Sequence, residues 1–383
     1  VSCYMTKKLS IKSVLFFLFI SSIFLSCNAD KKRKIEEVPI QLNEETVTIF
    51  GHQIERAIYN EDANFFNGAF DTNFIKEKIS ENSLIYSSLD AEFGKALFKQ
   101  AIHQGDFVLK EFNEGGHFKL ISYYEKENKH HLIFRLYSNW SIYIEDYEVD
   151  TVNNELKIKE GFNYNLGISF TDKVKYSMLY SILLKTDSKG IISLFLQIDS
   201  LIQKEKIAAA LELLTTNEAL LKEYPYYQQQ LIQVQYLHNP KGFIDFLEGL
   251  HLDKRCELVH KLLFYSNNGH VEESYATIDE LINITGDDPI YLFFYGRAHF
   301  LAKKYKDALI CYEEAEKGLP LFWDLWYSKL EVYYNLKQVD AFIETLCLSE
   351  EHYGMDKREM LELTEEEFPK VYKKVSEVFE KDF

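Results

Sequence analysis

The chain has 383 residues, which predicts two folded domains or three. Six prolines, sixteen glycines and a 15% aromatic share exclude a collagenous, low-complexity or disordered protein. A net charge of −17 excludes a non-specific grip on nucleic acid or anionic lipid, and five cysteines are too few for a disulfide scaffold.

The first residues carry a targeting pattern. Lys7, Lys8 and Lys12 follow Met5 as a basic segment, and residues 14–25 are apolar apart from two serines. That run suits a signal-peptide core and falls short of the roughly 20 residues a spanning helix needs. It ends in Phe24-Leu25-Ser26-Cys27, and Asn28, Asp30, Lys31, Lys32, Arg33 and Lys34 then make the chain polar. This stretch resembles the lipobox of bacterial lipoproteins, in which the cysteine is diacylated and becomes the new N-terminus. Phe24 stands where leucine is usual. The resemblance implies a signal peptide over 1–26, a lipid on Cys27, a linker over 27–44 and a place in the cell envelope, the outer membrane before the inner. The other reading of the segment is a signal anchor with an incidental cysteine. Loss of residues 1–26 removes three lysines and no acid, leaving a charge of −20. A body that acidic depends on acyl chains for membrane affinity.

Residues 45–185 read as an α+β domain. Val47, Phe50, Ile54 and Ile58 set a helix over 44–59, and short helices follow at about 62–80 and 90–112. The period then changes to two. Over 117–125, Phe118, Leu120, Ser122 and Tyr124 alternate with His117, Lys119, Ile121 and Tyr123. Over 130–138, Leu132, Phe134 and Leu136 alternate with His131, Ile133, Arg135 and Tyr137. Strands over 141–149 and 155–163 complete a four-stranded antiparallel meander with turns at Glu127-Asn128, Ser138-Asn139 and Asn153-Asn154, since asparagine tolerates the positive φ of tight hairpins. Helices followed by such a meander resemble the cystatin-like and nuclear-transport-factor-2-like half-cone. That resemblance implies a sheet curled around a helix and, in some members, a pocket with an acid–base pair. The titratable candidates are His103, His117, His130, His131, Asp146 and Glu148; spacing alone brings no two of them together.

The rest of the chain, 190–383, is helical and repeats at 34 residues, in windows beginning at Arg255, Pro289 and Trp323. The middle window carries Gly296, Ala298, Ala308, Tyr312, Ala315 and Pro320, and the third Trp326 and Tyr333. In this pattern the sequence resembles the tetratricopeptide repeat. Small residues at Gly296 and Ala308 belong where two helices cross, and large ones fill the gaps around them. Weaker helices at 207–214 and 242–249 extend the array toward Gly190, and 368–379 reads as a capping helix starting at Pro369. Thr364 and Glu367 fit a capping box for it, with Glu365-Glu366-Glu367 at its N-terminus.

The resemblance implies a solenoid whose first helices line a groove. Its groove positions map to Phe293, Arg297, Phe300, Leu301, Asp324, Tyr327, Glu331, Tyr334 and Asn335. Two roles are open to these aromatics, lining the groove and packing between repeats. The position that clamps a partner's carboxylate in some family members holds His260, Phe294 and Ser328, which does not favour that clamp.

Phosphate loops, His-Glu-x-x-His, nucleophile elbows and Cys-x-x-Cys do not occur, so no cofactor or metal is expected. Cys256, Cys311 and Cys347 fall in helical patterns and read as small buried apolar residues. The leading functional reading is a lipid-anchored, non-enzymatic scaffold that binds an envelope protein or peptide through its repeat groove, with no nucleic acid. The alternative is a small-molecule or hydrolytic pocket in the α+β domain, with the repeats as its scaffold.

Overall fold

The computed structural model describes residues 39–82, 85, 92–138, 141–186, 190–320 and 322–381. The signal segment and Cys27 lie outside them. The chain divides into two compact units, Val1–Ile40 and Gln41–Phe383, and every element below belongs to the second. A helical N-terminal part leads into a five-stranded antiparallel sheet, and an all-helical region follows.

Helix α1 (Glu44–Tyr59) starts at Asn43, whose side chain accepts from the Thr46 N–H at 3.0 Å while Thr46 Oγ1 accepts from the Asn43 N–H at 3.2 Å. This reciprocal box satisfies two N–H groups that a helix start leaves unpaired. The buried stripe Val47, Phe50, Ile54 and Ile58 lies on the sheet. Gly51 permits the close approach, because a Cβ there would meet Leu120 at 2.9 Å and Leu132 at 3.1 Å. Helices α2 (Ala63–Gly68) and α3 (Thr72–Ile79) are capped by Asp62 and Asp71, and α4 (Glu92–Ala101) and α5 (Gln104–Asn113) follow.

Strands β1 (His117–Lys126), β2 (Lys129–Ser138), β3 (Ser141–Val152), β4 (Glu155–Asn163) and β5 (Ile168–Ser169) pair in sequence order. The Glu127-Asn128 and Asn153-Asn154 turns take the positive φ their hairpins need. The expected meander had four strands; β5, two residues long, adds a fifth beside Phe162 and Asn163. Phe70 bridges Ile158 on the same edge of β4, so little of that edge is left bare.

The expected alternation in β1 also changes midway. A bulge between Leu120 and Ser122 moves Tyr124 off the face of Phe118 and Leu120. Those two pack with α1, whereas Ile121 and Tyr124 pack on the opposite side. After β5 comes α6 (Phe170–Thr186), a helix the pattern analysis missed. Phe170, Val174, Met178 and Ile182 recur every four residues and close the core against α3, α4 and β4.

The helical region runs through α7 (Ile191–Gln203), α8 (Ile207–Thr216), α9 (Glu218–Leu221), α10 (Pro225–His238) and α11 (Phe243–Gly249). Four packed helix pairs complete it: α12 (Lys254–Asn268) with α13 (Val271–Thr285), α14 (Ile290–Leu301) with α15 (Tyr305–Gly318), α16 (Trp323–Leu336) with α17 (Val339–Tyr353), and α18 (Lys357–Glu367) with α19 (Pro369–Lys381). The steric reading of the middle pair holds: a Cβ on Gly296 would come within 2.3 Å of the Tyr312 ring, and Ala308 is fully buried.

Two local expectations fail. The capping box belongs to α18, between Asp356 and Glu359, while Thr364 is buried inside that helix and donates to the Met360 carbonyl; the acidic run closes α18 rather than opening α19. Of the three cysteines only Cys256 is buried, and Cys347 is exposed, because a helix has an outer side that spacing alone did not assign. Among the described residues no helix is long and apolar enough to cross a membrane.

The sheet has two covered faces. Leu132, Phe134, Leu136 and Tyr147 pack against α1 and α6, whereas Ile133, Tyr137, Ile142, Ile144 and Tyr164 share a core with α12–α16. Within this seam Arg135 (0% exposed) forks onto both oxygens of Asp288 (1% exposed) at 3.1 Å. Asp288 also accepts from the Ile290 N–H at 2.8 Å, at the start of α14. Removing one member of such a pair leaves an uncompensated buried charge. Asp288→Ala is therefore expected to cost about 3–5 kcal/mol in urea unfolding, and the double change Arg135→Met/Asp288→Leu to recover most of it.

Candidate functional site

Three places are candidates, and two of them hold residues singled out by sequence. The first is the polar part of the seam. His131 Nδ1 donates to Asp146 Oδ1 at 2.9 Å, the Tyr124 hydroxyl donates to Oδ2 of the same carboxylate, and Arg255 Nη1 reaches that oxygen at 3.4 Å. The Tyr124 ring stacks on His131 with centroids 4.5 Å apart, and the Arg255 guanidinium lies 3.6 Å over the Phe162 ring. Burial, then the Asp146 charge, raises the Tyr124 hydroxyl well above its usual range, so it stays a donor. The structure thus joins His131 to Asp146, which spacing could not show. Tyr124 and Arg255 went unnoticed because a bulge and a 109-residue separation bring them in.

The other titratable candidates take other partners, although Glu148 stands opposite His131 in the sheet. His103 Nδ1 donates to Asp106 at 2.7 Å, His130 meets the Tyr123 hydroxyl at 2.8 Å, and Glu148 takes Lys129 at 2.7 Å. His117 Nδ1 accepts from Arg135 Nη1 at 3.1 Å, and burial followed by the Arg135 charge drops its pKa to about 3. On the inner face Glu145 takes Asn163, Lys173 and the Tyr147 hydroxyl, and the cavity beside it measures about 10 Å³. That is room for one water at most.

The second place is the expected groove. Phe293 is 0% exposed, with its ring 5.7 Å from Tyr137 of β2 and 5.2 Å from Phe322. The sheet of the same chain therefore sits on it. Arg297 Nε donates to Asn267 Oδ1 at 2.6 Å, and its charge acts on Asp324 and Glu331. Burial raises the pKa of both carboxyls, and Arg297 opposes the shift. Phe300 packs on Tyr305, while Tyr327 and Tyr334 pack on Phe368 at 5.8 and 5.4 Å. Leu301 and Asn335 are exposed. Of the two roles open to these aromatics, Phe293, Phe300, Tyr327 and Tyr334 all make internal packing contacts.

The third place was not seen in the sequence. Where the sheet stops covering the helices, a cleft of about 600 Å³ opens between Tyr143 of β3, Asn165 after β4, α10 and α12. Its wall includes Tyr236, Phe243 and Phe264, mutually packed with centroids 5.1–5.9 Å apart. Gln229, Gln230 and Gln233 of α10 line it, as does His260, whose Nε2 donates to the Asn165 carbonyl at 3.1 Å. Burial lowers the pKa of His260, which keeps the ring neutral. The cluster of glutamines in residues 228–235 was the signal available in the sequence.

Two outcomes follow from the seam. Phe293→Ala is expected to lose about 3–5 kcal/mol of stability as a core truncation, and Asn335→Ala less than about 0.5 kcal/mol, both read by chemical denaturation. For His117, the unfolded chain takes up a proton below pH 6.5 while the folded ring stays neutral to about 3. Stability is therefore lost as pH falls from 6.5 toward 3. A His117→Gln variant should show a flatter fall of Tm across that window.

Comparison of the chain with family models, with curated proteins and with solved structures gives no match.

Proposed function

We propose that this protein is a lipid-anchored binding module of the bacterial cell envelope, which holds a partner rather than transforming a substrate. The lipobox residues ending at Cys27 support the anchor. The 34-residue sequence period and the helix pairs starting at Lys254, Ile290 and Trp323 support a tetratricopeptide array. The order of helices and meander supports the half-cone reading of the sheet.

One observation carries the binding role: the sheet covers the groove at Phe293, and the cleft of about 600 Å³ stays open beside it. A cleft of that size falls in the range used for ligands. The partner of the scaffold is accordingly received at the cleft, between the sheet and α10–α12, and the docked sheet holds both walls in place. The alternative, a pocket inside the half-cone, has less support, since the cavity at Glu145 measures about 10 Å³ and Asp146 is engaged with His131, Tyr124 and Arg255.

The test is made in cells with the full chain. Wild type should fractionate with membranes and incorporate labelled palmitate, and Cys27→Ala should do neither; a variant that stays membrane-bound and labelled refutes the anchor. A photo-crosslinking residue at position 233, in the cleft, should give a discrete adduct that the same residue at exposed position 310 does not. No adduct at 233, or the same adducts at both positions, refutes the binding role.

A further inference from the structure

The chemistry of the cleft wall selects among ligands. In a chain with 27% charged residues, the lining contains no Asp, Glu, Lys or Arg. Burial keeps His260 neutral, and its Nε2 donates to the Asn165 carbonyl. A charged ligand would lose its hydration there with no opposite charge to meet it. The polar groups on offer are side-chain amides and tyrosine hydroxyls, which donate and accept equally.

Two further features narrow the choice. Gln230 is 2% exposed and lies at the cleft, with Nε2 donating to Asp199 at 2.7 Å and Oε1 without a hydrogen-bond partner. A buried acceptor in that state is completed by a donor from a water or from a ligand in the cleft. Aromatic rings stand among these amides, and the negative face of a ring attracts polarised C–H groups. A sugar ring presents both chemistries at once, hydroxyls on its edge and C–H groups on its face. The cleft also continues: Tyr226 and Gln229 line a second cavity of about 370 Å³, shared with Tyr176, Tyr180 and Tyr224 and with one cation, Lys173, whose ammonium donates to Gln104 and Glu145. Tyr226 is 39% exposed, and its hydroxyl donates to Asp199, which fixes the ring at the junction.

We infer that the cleft binds a neutral oligosaccharide, with one unit among Gln230, Gln233 and Tyr236 and the next beyond Tyr226. The inference rests on the cleft being the binding site, as proposed above. Such a ligand is met either as a free glycan or as the glycan of a conjugate, and the chemistry is the same. An uncharged peptide segment is the competing class. Amides also suit a peptide backbone, but a backbone has no C–H face to set against every ring.

The full chain in detergent is probed by calorimetry with four kinds of ligand: a neutral hexasaccharide set (α-glucan, β-glucan and mannan), a neutral glycoprotein glycan released from its carrier, an oligogalacturonate, and an N-acetylated, C-amidated Ser/Gln-rich peptide. At least one neutral saccharide should bind, and Gln233→Ala and Gln233→Glu should each weaken it about tenfold or more. Gln233 is exposed on α10, so both variants should keep the wild-type Tm. Binding of the hexasaccharides marks a free glycan as the source, and binding only of the released glycan marks a conjugate; both support the inference. Failure of all neutral saccharides, tighter binding of the oligogalacturonate, or binding of the peptide alone overturns it. Because crosslinking at position 233 is read independently, an adduct there with no saccharide binding removes this inference and leaves the binding role standing.

Discussion

A β-sheet whose two faces are both apolar has to be covered twice, and this constraint organises the molecule. In β2, Leu132, Phe134 and Leu136 point one way while Ile133, Arg135 and Tyr137 point the other, and all six are buried. The N-terminal helices and α6 cover the first face. The second would be a large exposed apolar patch on a free α+β domain. The helical region removes that patch from water, which is the main favourable term in joining the two parts. Polar residues set how they join. Arg135 with Asp288, and Asp146 with Arg255, meet at fixed positions along the strands, and a shifted dock would strand their charges.

The same constraint gives the helical region a resident occupant. Here β2 and β3 lie over α14 and its neighbours. Phe293, Tyr137 and Phe322 form an aromatic contact from opposite sides of the seam. The surface that remains is bounded by sheet on one side and helix on the other, so both sequence halves contribute to it. Its shape depends on the docked state of the seam.

Several of these features were legible in the residues. The helix over 44–59, the tight turns at Glu127-Asn128 and Asn153-Asn154, and the pairing of Gly296 with a large ring followed from periodicity and size, while the Ser138-Asn139 turn lies partly outside the described residues. The alternation of β2 was legible too, but the burial of both of its faces was not. Other features were hidden by geometry that spacing does not carry. The bulge after Leu120 inserts one residue and reverses the faces beyond it, sending Tyr124 to Asp146. Strand β5 is two residues long and exists only because β4 offers it an edge. Helix α6 has its stripe of Phe170, Val174, Met178 and Ile182, but apolar neighbours such as Leu179 and Tyr180 blur it. The cleft left the faintest trace, a run of glutamines, because a cavity is defined by what does not fill it.

The amino-acid sequence by itself determined the kinds of element, their order and the faces that had to be buried, since these depend on residue type at periods of two and about three and a half. It also carried the acidic balance and the pattern around Cys27. What covered each face, and so whether Phe293 would meet a partner or its own sheet, was decided only in the tertiary structure. Burial of a second apolar face is a long-range choice between alternative surfaces, and local spacing has no term for it. The open cleft is the residue of that choice: the place where two covered surfaces part, and where side chains from three distant stretches of sequence come to face one another.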